Sequence, residues 1–200
     1  GFAVQMLNGG PRTIAVSDIS SDQLADVVVG NGQSRNVDVF YNQGDGRLQA
    51  FGSNPVDVGC QVTGVTLADL QGDGPQDIIV ACTNQNEVRV LKNRGGTSGF
   101  ETSYAIAIGT GQVPTPRQIA AADLDGNGQS DLVLATDNDL RVLANPGSGA
   151  SPAFSMPLTM RPSAIALGDA NGNRIPDISV LVSQQELRVY EYATGGTFSQ

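Results

Sequence analysis

A nine-residue acidic segment recurs four times in this chain, and its residue types suit the binding of a hard divalent cation. The copies are DISSDQLAD, DLQGDGPQD, DLDGNGQSD and DANGNRIPD, at residues 18–26, 69–77, 123–131 and 169–177. Each begins and ends with Asp and carries oxygen-bearing side chains at its third and fifth positions. Ca²⁺ requires several oxygens presented by one tight turn. The spacing therefore predicts up to four Ca²⁺ sites.

Each loop is expected to bind through side-chain oxygens at positions one, three, five and nine and through the main-chain carbonyl of position seven. In the first two loops the predicted ligands are Asp18, Ser20, Asp22, Leu24, Asp26, Asp69, Gln71, Asp73, Pro75 and Asp77. In the last two they are Asp123, Asp125, Asn127, Gln129, Asp131, Asp169, Asn171, Asn173, Ile175 and Asp177. Glycine at position six permits a sharp reversal, but Gln23 and Arg174 replace it in the first and fourth loops. The fourth loop has only two carboxylates, so we expect weaker binding there.

Other interpretations of the loops fit less well. An EF-hand needs Glu at position twelve, where this chain has Val29, Val80, Leu134 and Val180. Asp residues that only cap hairpin turns would not recur at alternating positions, because a turn needs one or two of them. Mg²⁺ demands a rigid octahedron and retains its waters. We therefore expect Ca²⁺, acting as a structural staple.

The segments around each loop have the patterns of β-strands. An apolar segment leads into the loop, a nearly continuous apolar run follows it, and an alternating segment such as EVRVLKN or LRVLAN comes next. Each repeat closes on a Gly-rich turn and a phenylalanine that we expect to open an outer strand (Phe51, Phe100, Phe154, Phe198). The loops start at residues 18, 69, 123 and 169. A period of about 50 residues with several short strands is typical of a propeller.

These features predict an all-β fold: a β-propeller of four-stranded blades, of which four are visible. We expect a single array over residues 1–200, with blades at approximately 1–50, 51–99, 100–153 and 154–200. The opening segment GFAVQML is expected to supply the outer strand of the first blade. The sequence leaves open whether four blades close alone, form an oligomer, or belong to a larger ring.

The repeat unit resembles the FG-GAP or VCBS repeat of integrin α-subunit propellers and bacterial surface proteins. The resemblance rests on the strand, the DxDxDG-type loop, the apolar strand and the trailing N-x-G turn. The segment IAAADLDGNGQSDLVLAT, followed by LRVLAN, matches this pattern most closely. The resemblance implies a calcium-stabilised extracellular or cell-surface module that displays loops for adhesion or protein recognition, in a propeller that usually has seven blades.

Composition narrows the functional classes. The chain has 20 acidic and 11 basic residues, a net charge of −9 and no His. Without a basic stripe to meet phosphates, nucleic acid is not expected as a partner, and no apolar run is long enough for membrane insertion. The lack of His excludes His-dependent triads and His-ligated zinc sites, and no nucleophile elbow or P-loop occurs. We therefore expect no catalytic activity.

Two alternatives to protein recognition stay open: a lectin-like carbohydrate-binding propeller and an accessory domain of a larger secreted enzyme. Aromatic residues for sugar stacking would be expected in each blade, but the tyrosines do not recur in register (Tyr41, Tyr104, Tyr190, Tyr192). Equivalent arginines on the alternating segments (Arg89, Arg141, Arg188) could bind an acidic partner. A solvated strand face explains these arginines more simply.

The two cysteines flank one predicted hairpin. Simple pairing around the second loop would place Cys82 opposite Gly64, so Cys60 would have to fold back to reach it. A disulfide and two buried thiols are both compatible with this arrangement. The opening residues lack the charged region and apolar core of a signal peptide. We expect a mature or excised piece of a longer extracellular or cell-surface protein.

Overall fold

The chain folds into antiparallel β-sheets, as seen in a computed structural model. The described residues are 5–7, 9–52, 54–83, 85, 87–95, 99–101, 104–108, 115–148, 154–183, 186–193 and 197–199. They contain four separate sheets, and the helical structure among them is a single 3₁₀ turn, Pro146–Ser148. The all-β expectation is therefore confirmed.

Each sheet follows chain order from an inner strand to an outer strand. Sheet 1 contains β1 (Pro11–Ser17), β2 (Asp26–Asn31), β3 (Asn36–Asn42), β4 (Leu48–Ala50) and β5 (Val56–Asp57). Sheet 2 contains β6 (Val62–Ala68), β7 (Asp77–Cys82), β8 (Glu87–Leu91) and β9 (Tyr104–Ala107). Sheet 3 contains β10 (Pro116–Ala122), β11 (Asp131–Thr136), β12 (Asp139–Leu143) and β13 (Phe154–Pro157). Sheet 4 contains β14 (Ala164–Gly168), β15 (Asp177–Ser183), β16 (Glu186–Ala193) and β17 (Thr197–Ser199).

The apolar runs that follow the loops form the second strand of each sheet. Every residue of β7 and β11 is buried, as expected for strands covered on both faces. In β15 one face is wetter, and Leu181 is 37% exposed. The difference arises because sheets 2 and 3 lie between other sheets, whereas sheet 4 has a neighbour on one face only among the described residues.

The outer strand of each sheet pairs with the third strand of the same repeat, so the first three sheets end later in the chain than the expected blades. The sheets span residues 11–57, 62–107, 116–157 and 164–199. The outer strands β5, β9 and β13 thus lie beyond residues 50, 99 and 153, where the sequence placed the boundaries. Phe154 does open an outer strand, but Phe51 follows β4 and Phe100 precedes β9. These two rings contact each other, with centroids 5.6 Å apart, and pack on the first core instead.

The sheets stack in sequence through their apolar faces. Inner strand β6 packs against β1 and β10, and β10 packs against β14, so the inner strands line one side of the array. Three apolar clusters fill the spaces between successive sheets. At the two ends of the array, large apolar side chains are exposed: Ile14 is 63% exposed on β1, and Leu187 is 65% exposed on β16.

The opening segment lies partly outside the described residues, which omit 1–4 and 8. Residues 5–7 form no strand, so the expected outer strand is not seen in the part that is described. The Gln5 side-chain amide nevertheless donates to the carbonyl of Leu48 on the outer strand β4, at 3.0 Å. Among the described residues there is no helix with the length and apolarity needed to cross a membrane.

Cys60 and Cys82 form a disulfide, with their Cα atoms 5.5 Å apart. The expected pairing of Cys82 with Gly64 is wrong, because β6 bulges between Val62 and Gly64 and Cys82 pairs with Val62 instead. The bulge brings Cys60 closer in register to Cys82. The extra residue, Thr63, donates its hydroxyl to the carbonyls of Ala81 and Pro116, at 3.1 and 2.8 Å. It thereby links sheet 2 to sheet 3.

Candidate metal loops

The four acidic loops connect the inner strand to the second strand of each sheet. In every case the ninth residue is also the first residue of the second strand. All four loops adopt left-handed backbone at positions four and six, the latter being Gln23, Gly74, Gly128 and Arg174 with φ of 70°, 109°, 87° and 70°. Gln23 and Arg174 therefore take the same reversal as glycine, at a cost of about 1–2 kcal/mol each. The β-flanks agree with the rejection of the EF-hand interpretation.

The first aspartate of each loop organises the turn. In the third loop, Asp123 accepts hydrogen bonds from the main-chain N–H groups of Gly126, Asn127 and Gly128, at 2.8, 3.1 and 2.7 Å. Asp69 and Asp169 accept three equivalent bonds, and Asp18 accepts two. The loop main chain is thus curled around a carboxylate that retains lone pairs for a cation.

The side chain at position five fixes the second half of the turn. Asn127 accepts the N–H of Gln129 at 2.8 Å, Asn173 accepts that of Ile175 at 2.7 Å, and Asp22 accepts that of Leu24 at 2.9 Å. In the second loop position seven is Pro75, which has no N–H to donate, and Asp73 pairs with a lysine.

The side chains at position seven take no part in the polar centre of the loop. Leu24 and Pro75 are half-buried against the Gly-rich turns, where a methyl group on Gly44 or Gly95 would lie 3.2 Å from their side-chain carbons. Ile175 is also half-buried, whereas Gln129 is exposed. These placements leave the main-chain carbonyl as the group that position seven could contribute.

The ninth aspartate has a role that sequence reasoning missed. Asp131 is fully buried and accepts the N–H groups of Leu124 and Asn145, both at 2.9 Å. Asp77 accepts those of Leu70 and Asn93, at 3.3 and 2.9 Å. It therefore ties the loop to the end of the third strand. The N-x-G motif that follows that strand is the sequence signal for this contact.

The other two ninth aspartates also accept hydrogen bonds from their own loops. Asp26 accepts the N–H groups of Ile19, Ser20 and Asn42. Asp177 accepts that of Ala170 at 2.8 Å. The ninth aspartate therefore bonds to its own loop in all four repeats, and in the first three it also bonds to the end of the third strand among the described contacts.

Burial changes the acidity of these clamping carboxylates. Burial raises the pKa of Asp77 to about 6, against the lowering effect of its two hydrogen bonds, and the nearby Asp73 and Asp69 raise it further. The pKa of Asp131 is raised for the same reasons, with Asp125 and Asp123 as the neighbouring charges. A divalent cation beside these carboxylates would favour their ionised forms.

The third loop brings three carboxylates together. Ligand oxygens of Asp123, Asp125 and Asp131 all lie within 4.8 Å of one another, the only such acidic group among the residues described. Asn127 is exposed and its amide donates to Asn145 at 2.9 Å, which leaves its oxygen in the turn. The donor set is hard and negatively charged, as Ca²⁺ prefers. These residues fit a divalent cation.

In the first and second loops, the oxygen at position three lacks a partner. Ser20 Oγ and Gln71 Oε1 are buried and have no hydrogen bond among the described residues. An uncompensated buried oxygen costs about 1–3 kcal/mol, and a cation in the loop would remove that cost. The Gln71 amide donates to the Tyr104 hydroxyl, which orients its oxygen. Both loops therefore fit a cation as well.

One position outside the loops differs in every repeat. In each sheet, one residue of the third strand pairs with the residue that comes directly after the ninth aspartate. The position in question is the next residue along the third strand, which is Tyr41, Lys92, Ala144 and Glu191 in sheets 1 to 4. Lys92 Nζ lies 2.7 Å from Asp73 Oδ2 in the second loop, and this pairing raises the pKa of Lys92. Glu191 accepts a hydrogen bond from Asn171 and adds a carboxylate to the fourth loop.

The predicted row of arginines exists, but its charges are neutralised within the sheet. Arg141 pairs with Asp139 at 2.8 Å, and Arg89 and Arg188 pair in the same way with a glutamate two residues earlier, at 2.9 and 2.7 Å. The carboxylates belong to the same strands, so each pair is local. This row carries no net positive charge toward an acidic partner.

The described tyrosines do not form an equivalent set either. Tyr190 is buried, Tyr41 packs edge-on against Phe51 with ring centroids 5.9 Å apart, and Tyr104 is 36% exposed beside the second loop. The side chain of Tyr192 lies outside the described part of the chain. No repeated aromatic platform is therefore found among the described side chains.

These features define a class: an all-β repeat protein in which each sheet carries one acidic loop between its first and second strands. The FG-GAP-like repeat model matches residues 18–80, 72–134 and 123–180. The chain belongs to this family, and the resemblance drawn from its sequence is confirmed.

Several solved structures are similar in fold. BBS1N, in a complex with ARL6DN soaked with lead, superposes with a TM-score of 0.64 at 12% identity, covering 100% of this chain and 57% of that one. A protein of unknown function from Bacteroides caccae gives 0.56 at 12% identity, covering 95% and 59%. An Agrocybe aegerita lectin that recognises non-reducing terminal N-acetylglucosamine gives 0.57 at 21% identity, covering 92% and 50%.

At such identities the likeness is one of fold alone. This chain spans between half and three-fifths of the length of those three structures. No curated protein matches the sequence.

Proposed function

We propose that the chain is a calcium-stabilised, non-catalytic recognition module in which Ca²⁺ ties the two strands that flank each loop. The observation that carries the proposal is the third loop, where three carboxylates have oxygens within 4.8 Å of one another, in a turn closed by main-chain N–H groups that donate to Asp123. Without a cation, three like charges would repel one another at this distance. Ca²⁺ suits the site better than Mg²⁺ because Mg²⁺ demands near-ideal octahedral geometry and retains its waters.

Removal of Ca²⁺ is expected to lower the melting temperature, and its return to restore it. A site filled at a hundred times its dissociation constant stabilises a fold by about 2.7 kcal/mol. The measurement is thermal unfolding in EDTA, in excess Ca²⁺ and in excess Mg²⁺. Identical melting curves in EDTA and Ca²⁺ would rule out the stapling role, and equal effects of the two metals would rule out selectivity for Ca²⁺.

We propose further that the four sheets are blades of a β-propeller that is completed by more sheets of the same kind. The support comes from the outward face of sheet 4 at the end of the array. In sheet 3 the equivalent register positions are fully buried, and they are occupied by Val133, Ala135, Leu140 and Val142. In sheet 4 these positions are occupied by Ser179, Leu181, Leu187 and Val189. Inner strands β1 and β14 do not pack together, so the described part of the chain leaves these faces uncovered. Light scattering would reveal a second copy as a doubled mass.

Location outside the cell, with a protein as ligand, is part of the proposal. The Cys60–Cys82 disulfide is compatible with an oxidising compartment, and extracellular Ca²⁺ is high enough to fill weak sites. A glycan ligand is the second candidate, favoured by the fold similarity to the Agrocybe aegerita lectin. A glycan array separates the two: specific, Ca²⁺-dependent sugar binding would favour the lectin alternative.

A further inference from the structure

A cavity lies at the end of the inner strands opposite to the metal loops. Its volume is about 690 Å³, and it is lined by the first residues of β1, β6 and β10 and by residues 161–163 before β14. Volumes of this size hold small molecules in other proteins. The loops follow the other ends of the same strands, so the two sites are separated by the length of a strand.

Bulges place the polar side chains of this cavity. Each of β1, β6 and β10 shifts register at its second residue, which is Arg12, Thr63 and Arg117, respectively. A bulge leaves one residue out of the ladder and redirects its side chain. Because these strands are the free edges of their sheets, the bulged residues from three sheets line one cavity.

The cavity carries excess positive charge. Arg117 binds Asp137 with two hydrogen bonds of 2.8 and 3.2 Å, and Arg161 reaches the same carboxylate at 3.2 Å. These guanidinium groups hold the pKa of Asp137 below its usual range. Arg12 has no hydrogen bond or ion pair to any described residue. Three arginines thus line the cavity, and among the described residues Asp137 is the one carboxylate paired with any of them, in a chain whose net charge is −9.

The walls of the cavity are held in place by bonds between sheets. Thr63 donates to the carbonyl of Pro116 at 2.8 Å and so joins β6 to β10. Gln118 donates to the carbonyl of Ser163 at 2.7 Å and accepts the N–H of Ile165 at 3.0 Å, which joins β10 to sheet 4. The main chain that carries Arg117 is therefore fixed before any ligand arrives, which lowers the entropic cost of binding.

We propose that this cavity binds a small oxyanion, a carboxylate or a phosphate ester, between Arg12, Arg117 and Arg161. Arginine presents a planar set of donors that matches both oxyanions. The proposed calcium sites lie at the opposite strand ends, so binding of the anion does not depend on them.

The test is calorimetric titration of the Ca²⁺-saturated protein with succinate and with phenyl phosphate, neither of which chelates Ca²⁺ strongly. The two probes distinguish a carboxylate site from a phosphate site. We expect saturable binding that weakens with added NaCl. The double variant Arg12→Gln/Arg161→Gln should lose about tenfold or more in affinity.

Two further variants make the test decisive. Arg47→Gln, which changes an exposed arginine paired with Asp45 in the β3–β4 turn, should leave the affinity unchanged. Asp137→Asn should raise the affinity, because it releases two guanidinium groups. Saturation by neither probe, equal loss in the Arg47 variant, or weaker binding in the Asp137 variant would overturn the proposal. Unchanged thermal stability and Ca²⁺ titration would show that the variants are folded.

Discussion

The second and third acidic loops share a backbone conformation but differ in whether a positively charged side chain lies beside them. Both begin and end with aspartate, both turn through left-handed glycines at positions four and six, and both are clamped by a buried ninth carboxylate. In the second loop an ammonium group, Lys92 Nζ, lies 2.7 Å from Asp73. In the third, the equivalent residue is Ala144 and three carboxylates converge without a cationic side chain among the described contacts.

This difference shows that a residue outside the repeated motif can change how strongly the loop would depend on a bound cation. The lysine supplies a positive charge to the second loop, and the proposed Ca²⁺ would supply one to the third. The second loop is therefore expected to hold its shape without metal, whereas the third is expected to depend on Ca²⁺. The four predictions below test this contrast, and they run from the largest expected effect to the smallest.

Removal of the ninth carboxylate separates clamping from metal binding. In EDTA, Asp77→Ala and Asp131→Ala should each cost roughly 2–4 kcal/mol of unfolding free energy, because each leaves two buried N–H groups without an acceptor. In Ca²⁺ the Asp131 variant should cost more than the Asp77 variant, since it also loses the stronger cation site. Urea unfolding in both buffers measures this, and equal costs in Ca²⁺ would contradict the contrast.

Exchange of the two residues beside the loops should exchange their metal dependence. Lys92→Ala should tighten Ca²⁺ binding at the second loop, and Ala144→Lys should weaken it at the third, each by up to about fivefold. Calorimetric titration with Ca²⁺ gives both affinities. Lys92→Arg serves as the control, because it keeps the charge. If the Ala144→Lys variant bound Ca²⁺ like the parent protein, the ammonium group would not compete with metal.

Glu191 is expected to compensate for the poor composition of the fourth loop. That loop has two aspartates, and Glu191 reaches it from β16 through Asn171. Glu191→Gln should weaken the fourth site by about threefold while stability in EDTA stays the same. Glu101→Gln is a matched control, because Glu101 pairs with Arg94 at 2.7 Å. A loss of stability in EDTA would assign Glu191 a purely structural role.

The smallest expected effect is the dependence of stability on the protonation of Asp77. Its folded pKa of about 6 lies above the ordinary value, so the metal-free folded chain binds this proton more tightly than the unfolded chain. The stabilising contribution is fully present below about pH 4 and is lost as pH rises through 6. Carboxyl NMR titration in EDTA should give a midpoint near 6, and Ca²⁺ should lower it. A midpoint near 4 in EDTA would disagree with the burial of this group.

Most of the fold could be predicted from the sequence because the same pattern of strands and loop recurs four times. The apolar runs after each loop gave β2, β7, β11 and β15, whose first residues are the ninth aspartates. The expected blade boundaries fall before the outer strands β5, β9 and β13, because the residues of a strand do not show which neighbouring strand it pairs with. The partner of Cys82 was also wrong, since a one-residue bulge leaves no mark in the hydrophobic pattern.

The candidate site was predictable only where it is local in sequence. Loop positions one to nine could be assigned by spacing alone. Lys92 and Glu191 could not, because they reach Asp73 and Asn171 across the sheet, 19 and 20 residues away in sequence. The bulged arginines at the far end were missed for a similar reason: Arg12 and Arg117 follow prolines in equivalent repeats, but only the inter-sheet packing brings them together with Arg161.

The most direct test of the account is the anomalous scattering of crystals grown in Ca²⁺. We expect a calcium peak in the third loop, about 2.3–2.6 Å from oxygens of Asp123, Asp125 and Asp131. The second loop should show weaker occupancy beside Lys92. A third loop that contained only water under these conditions would contradict the claim that Ca²⁺ holds the strands of this repeat together.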